Sequence, residues 1–221
     1  MGLFSRKAIV VPEEYVTFNK FSADKEKLLC VGGATTECKH KVETKLSGCN
    51  KDLKLYYPKN QAAKIIKYWL PMFEIYDGHS AMSLISNWIE KNNYVNTVSD
   101  KTTLAVKKDI NRAAQKFNFD ATSLLQSADK VKIYGAFDLE RLGYIVRVCF
   151  SVGFLTEDQA WNCLEQLWED ATEHFENWDD YMVSFLNGQE ELDTNWYSDT
   201  IVSYVELKQN QASLINRYKL T

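Results

Sequence analysis

Residues 136–192 carry three apolar stripes of helical period laid end to end, each opened by its own start signal. That pattern restricts the chain to helical architectures. In the first stripe Phe137, Leu142, Ile145, Val146, Cys149 and Val152 recur at helical spacing, which places them on one face. The spacing predicts a helix over 137–152, with Asp138 near the positive end of its dipole and Gly153 placed to close it in the left-handed conformation. Thr156 and Gln159 then supply both halves of a capping box. The helix they open carries Ala160, Trp161, Leu164, Leu167, Trp168, Ala171 and Phe175 along one stripe. Asn177 caps a third helix, with Trp178, Tyr181, Met182, Phe185 and Leu186 on one face and Gly188 expected to end it.

The same reading extends over the rest of the 221 residues. Ser22 is expected to cap a helix through Leu28, Leu29 and Cys30. Residues 35–54, rich in small polar side chains, read as loop with one further helical turn. Pro58 suits the first position of a helix that presents Ala62, Ile65, Ile66 and Trp69 and is stopped or kinked by Pro71. Asp77 caps a helix with Ala81, Leu84, Ile85, Trp88 and Ile89 inward, ended by Asn92-Asn93. Ser99 or Asp100 opens another, with Leu104, Ile110, Ala113, Ala114 and Phe117 inward. Asp120 caps a short helix with Leu124, Leu125 and Ala128. Ser198 starts a long final helix through Ile201, Val202 and Val205 to Leu214, Ile215 and Tyr218. With 45% hydrophobic residues, 13% aromatic residues and three prolines, the expected fold is all-α, a single globular multi-helix domain. Residues 1–57 form a loosely structured N-terminal lead-in with one helix and a loop-rich segment. Residues 58–221 form the helical domain, packed with the lead-in as one unit.

Composition excludes several function classes. The net charge is −4, which disfavours a nucleic-acid surface. There is no run of eighteen apolar residues, so no membrane span is expected. The short apolar run near the N-terminus is broken by Pro12 and Glu13 and lacks a cleavage site, against a signal peptide. Lipidation of Gly2 needs a hydroxyl where Arg6 stands. Five cysteines without close pairs fit a reducing cytoplasm.

Four constellations have residue types capable of chemistry. Cys38, His40 and Cys49 are metal-ligand types, but they lack a close cysteine pair and a fourth ligand, so no metal is expected. Asp170, Glu173 and His174 share one helix turn; a di-iron bundle requires Glu-x-x-His on two helices, and the sequence has that motif once, at Glu37-Cys38-Lys39-His40, so a solvated face is expected. Asp138 and Arg141 lie three residues apart and face each other, either as a structural ion pair, the favoured reading, or as the polar lining of a ligand pocket. Trp161, Trp168, Trp178 and Tyr181 form an aromatic set that is usually core. Trp178 and Tyr181 are its candidate partner-binding members, because Trp and Tyr anchor interfaces. No catalytic triad order, phosphate-binding loop or cofactor motif occurs, so no catalytic residue and no cofactor is assigned.

The combination of Phe137-Asp138-Leu139-Glu140-Arg141, Gly153-Phe154-Leu155-Thr156-Glu157, Ala160-Trp161, and Asn177-Trp178 through Phe185-Leu186-Asn187-Gly188 resembles the bacterial family called domain of unknown function 1266. A second echo runs from Trp69 to Ile89. The resemblance is strongest over residues 136–192; Pro71 and a long extra C-terminal helix depart from it. It implies an all-helical bacterial protein and no known activity. The expected function is a non-catalytic cytoplasmic protein that acts by binding another protein, in an immunity-like, toxin-neutralising role. The alternative is an enzyme or small-molecule sensor with a polar pocket around Asp138 and Arg141. The sequence specifies neither the partner's identity nor an oligomeric state.

Overall fold

The helix Ala136–Ser151 is closed to water over most of its surface: twelve of its sixteen residues are buried. A single apolar stripe was expected there. A helix buried this widely is instead the element on which others pack.

The computed structural model describes residues 9–91, 97–194 and 199–220. The expected helix end at Asn92-Asn93, the expected cap at Ser198 and the Gly2–Arg6 segment lie outside the described residues. In chain order the elements are α1 (Glu13–Phe18), α2 (Ala23–Leu28), α3 (Gly33–Thr44), a 3-10 turn (Cys49–Lys51) and α4 (Gln61–Lys64). A π turn (Ile65–Trp69) and a 3-10 turn (Leu70–Phe73) continue α4. Then come α5 (Gly78–Glu90), α6 (Asp100–Phe117), α7 (Thr122–Lys130), α8 (Ala136–Ser151), α9 (Glu157–His174), α10 (Trp178–Glu191), α11 (Thr200–Gln209) and α12 (Leu214–Arg217). No strand occurs among the described residues, and one apolar cluster extends from Leu28 to Leu220. The protein is all-α. Helices α3, α5, α9 and α10 pack around α8, while α6 and α7 back onto α10 and α11 lies against α3.

Local signals fix the starts of four helices. Asp77 and Ser80 form a capping box on α5, and Thr156 and Gln159 form another on α9. Ser99 accepts from the Thr102 amide at 3.2 Å and Asn177 from the Asp180 amide at 2.9 Å. Gly153 ends α8 in a left-handed conformation, φ 84°. The Phe154 amide donates to the Cys149 carbonyl at 2.8 Å and the Gly153 amide to Phe150 at 3.1 Å, the two bonds of a Schellman cap.

Other expectations fail for tertiary reasons. Residues 35–54 are not mainly loop, because α3 occupies most of the first half. Thr36 and Glu37 face inward and find partners there. The Thr36 hydroxyl donates to the Gly32 carbonyl at 2.6 Å, and the Glu37 carboxylate accepts from the Gly48 amide at 2.7 Å and the Asn50 amide at 3.2 Å. Gly188 does not end α10, which runs on to Glu191. A Cβ at Gly188 would sit 2.4 Å from Phe137 Cβ, so the missing side chain serves the close approach of α10 to α8. Helix α4 starts at Gln61, past Pro58, and Pro71 falls at the first turn of the following 3-10 segment, where its missing N–H costs little. On α6 the inward face is Thr102, Thr103, Val106, Ile110 and Ala113, while Leu104 is 68% and Phe117 42% exposed. The C-terminal helix is broken into α11 and α12. There the Asn216 side-chain amide donates to the carbonyls of Lys208 at 2.9 Å and Asn210 at 2.8 Å, ending α11. Helix α1 has no buried residue and is docked by aromatic contacts that follow it: Phe18 stacks on Phe150 and Phe21 meets Trp161 edge-on.

Candidate functional site

Asp138 and Arg141 do meet in a salt bridge, on the rim of α8. The Arg141 side chain is 14% exposed and that of Asp138 31%. The guanidinium lies 4.5 Å from the Trp88 ring centroid and 4.0 Å from that of Phe137, and its Nε donates to the Phe137 carbonyl at 3.2 Å. Its Nε, one terminal nitrogen and its flat face are therefore engaged within the protein. Neither residue lines any of the cavities described here.

Trp178 and Tyr181 are both buried. The Trp178 indole donates to the Tyr218 carbonyl at 2.8 Å, which ties α10 to the C-terminus. The Tyr181 hydroxyl donates to Glu140 at 2.9 Å. Trp161 is buried as well, whereas Trp168 is half-buried, its ring 6.1 Å from that of Trp178.

The charges that lie deepest are two that sequence reasoning passed over, Glu140 and Arg147, 1% and 0% exposed. The Glu140 carboxylate accepts from the Gly32 amide at 2.9 Å and the Thr35 amide at 2.7 Å, at the start of α3. Burial pushes its carboxyl upward; the bonds from Thr35, Tyr181 and Gly32 pull the other way. Arg147 donates to the Leu29 carbonyl, to Val31 at 3.1 Å, to Asn50 at 3.1 Å and to the Thr36 hydroxyl at 2.9 Å. Desolvation lowers its guanidinium pKa. Together they hold the α2–α3 connection against α8, where a Cβ on Gly32 (φ 77°) would lie 2.5 Å from the Gly143 backbone. A signal was present: Arg147 stands inside Tyr-Ile-Val-Arg-Val-Cys-Phe, a setting that buries whatever it contains.

Cys38, His40 and Cys49 are all buried but are not drawn together. Among the described residues, the one group of three that brings its ligand atoms within 4.8 Å of each other is Asp170, Glu173 and His174. The Cys38 thiol faces Thr200 and Ser203. The His40 ring lies edge-on to Tyr57 at 5.0 Å, and burial lowers its imidazole to about 4. His40 and Cys49 form part of the wall of a cleft of about 460 Å³ between α1 and the loop after α3, which also contains Asp52. Burial raises the Asp52 carboxyl to about 6, opposed by Lys51 and Arg147.

Asp170, Glu173 and His174 belong to a larger feature. Asp158, Glu165, Glu169 and Glu173 are exposed on the outward face of α9, with Glu176 just beyond it, and the helix contains no Lys or Arg. Positions 158, 165, 169 and 173 fall within a narrow sector of a 3.6-residue helix. His174 Nδ1 lies 2.9 Å from the Asp170 carbonyl oxygen and 3.6 Å from its carboxylate. The opposite face of α9 fills the core with Trp161, Leu164, Leu167 and Ala171, so the acidic row is mounted on a fixed helix.

No helix among the described residues is long and apolar enough to cross a membrane. No curated protein and no solved structure matches the chain. Residues 71–219 match the family described as Protein of unknown function (DUF1266), from the 3-10 turn before α5 to the residues beyond α12. The match includes the C-terminal segment that had read as an extra and covers well over half of the 221 residues. The chain belongs to the DUF1266 family.

Proposed function

We propose that this chain acts without catalysis, as a cytoplasmic bacterial protein that binds a basic protein partner, and that the partner is a toxin which it neutralises. The observation that supports this reading is the outer face of α9, where carboxylates stand in a row without a compensating cation on the same helix. Such a row steers a positively charged partner and fixes its register, contributing more to association rate and specificity than to raw affinity. The overall charge of −4 acts in the same direction. An enzyme or sensor built around Asp138 and Arg141 draws no support from the cavities described above. The test uses the gene adjacent to this one. Expression of its product alone should arrest growth, and co-expression of this chain should restore it. Replacing Glu165, Glu169 and Glu173 with Lys should abolish the rescue while leaving helicity unchanged. A harmless neighbouring product, or a rescue that survives the triple replacement, overturns the reading.

A further inference from the structure

Far from the acidic face in sequence, Glu43 on α3 stands between two adjoining cavities. The smaller, about 250 Å³, is lined by Glu43, Gln61, Lys64, Ile65, Tyr68 and Trp69. The larger, about 720 Å³, shares Glu43, Gln61 and Lys64 with it and adds Lys45 and Lys59. One chamber thus has an aromatic wall and the other an ammonium-rich one, with a carboxylate and a carboxamide at their junction.

We propose that these cavities form a binding site for a free α-amino acid with an apolar side chain. Its ammonium group is received by the Glu43 carboxylate, its side chain lies against Ile65 and Trp69, and its carboxylate points toward Lys59 and Lys64. The three substituents of an α-carbon diverge, as do the three kinds of wall.

The polar atoms at the junction are fixed by the fold but incompletely used. The Gln61 side-chain amide donates to the Glu43 carbonyl at 2.5 Å, which fixes the carboxamide beside the carboxylate. One Glu43 carboxylate oxygen takes the Tyr144 hydroxyl at 3.4 Å. Behind it the Tyr57 hydroxyl is closed to water, beside Tyr144 and Glu43, without a well-formed hydrogen bond. Burial holds the Glu43 carboxyl above its usual range, with Tyr144 and Lys39 opposing; a bound cation would lower it again.

The aromatic wall is equally specific. The π turn Ile65–Trp69 brings Ile65, Tyr68 and Trp69 to the small chamber, and such turns are frequent at functional sites. Trp69 is braced from behind by Tyr144, with centroids 5.4 Å apart, and by Phe73 at 4.9 Å. Among the described residues neither Lys59 nor Lys64 is within salt-bridge distance of a carboxylate, so the larger chamber, with three lysines to the one carboxylate of Glu43, carries an excess of positive charge toward an anionic group.

The test is titration of the full-length protein with L-leucine, followed by the NMR signals of the Trp69 indole and the Gln61 side-chain amide. Both signals should shift and saturate. Isoamylamine, which lacks the carboxylate, and 4-methylpentanoate, which lacks the ammonium, should each bind at least about tenfold more weakly. Glu43→Gln, which preserves size, should lose leucine binding by a similar factor while keeping the wild-type melting temperature, and Lys64→Gln should weaken leucine but not isoamylamine. Leucine that leaves both signals in place, binding unchanged in Glu43→Gln, or 4-methylpentanoate binding as well as leucine would each overturn the proposal.

Discussion

Glu140 and Arg147, two turns apart on α8, grip opposite sides of one connection: Glu140 receives the Gly32 and Thr35 amides, and Arg147 donates to the Leu29 and Val31 carbonyls. Neither is exposed by more than 1%. Both are therefore desolvated charges bonded to backbone groups that would otherwise be orphaned at a helix junction, with only the Arg147 Nε left without a partner among the described residues. Removing one leaves the other buried beside unpaired peptide groups, which costs about 3–5 kcal/mol. We expect Arg147→Met to lower stability by that amount in denaturant melts. Glu140→Gln, which retains one acceptor oxygen, should cost less. Wild-type stability in Arg147→Met would remove the clamp from the account.

Asp138 and Arg141 should behave differently. Their pair lies at the rim, and Arg141 is held as much by Trp88 and Phe137 as by the carboxylate. The cost of Arg141→Met should be about 1–2 kcal/mol, the range of a partly exposed ion pair with a cation–π contact. Asp138→Asn should cost under about 1 kcal/mol. Thermal melts of both variants check this; a loss as large as that of Arg147→Met would show the pair to be far better shielded than its exposure indicates.

Gly188 tests helix–helix packing. Alanine normally favours a helix interior over glycine by roughly 1 kcal/mol. Here the added Cβ would meet Phe137 Cβ at 2.4 Å and its ring at 2.7 Å. Gly188→Ala should therefore destabilise by about 1–3 kcal/mol, the usual cost of overpacking. The double variant Gly188→Ala with Phe137→Leu should recover part of the loss. A stabilised Gly188→Ala would mean that α8 and α10 are further apart.

His40 and Asp52 make opposing contributions to pH dependence. The His40 imidazole is held at about 4, against 6.5 when unperturbed, so the unfolded chain protonates first. Its contribution is complete above 6.5, shrinks as pH falls and is lost by about 4, a change on the order of 3 kcal/mol. Asp52, raised from 3.8 to about 6, acts in the reverse sense, contributing fully below 3.8 and losing its contribution as pH rises through about 6. His40→Leu should flatten the acid side of the stability profile, and Asp52→Asn should improve relative stability most at pH 8. Chemical melts across the pH range check both signs; an acid limb unchanged in His40→Leu would place the responsible proton elsewhere.

Helix starts were legible in the sequence because a cap is a local object. Asp77 and Ser80, Thr156 and Gln159, and Asn177 and Asp180 are each three residues apart, and no distant partner decides whether their bonds form. Of the outward face of α9, only Asp170, Glu173 and His174 were expected as a solvated face; the longer acidic row shares that helix, opposite the apolar stripe. What the sequence alone could not determine was which polar residues lie inside. Glu140 is buried because an amide 108 positions away needs an acceptor. The polar helix α3 is interior because Arg147, Asn50 and Gly48 donate to the oxygens its Thr36 and Glu37 side chains present. Gly188 marks a close approach, and only the position of Phe137 distinguishes that from a helix stop. The chambers beside Glu43 combine residues from α3, α4 and its π turn, with Tyr144 of α8 behind them. Periodicity and capping are one-dimensional. Burial of a charge is decided by the three-dimensional neighbourhood, where the cost of desolvation is met by partners contributed from the rest of the fold.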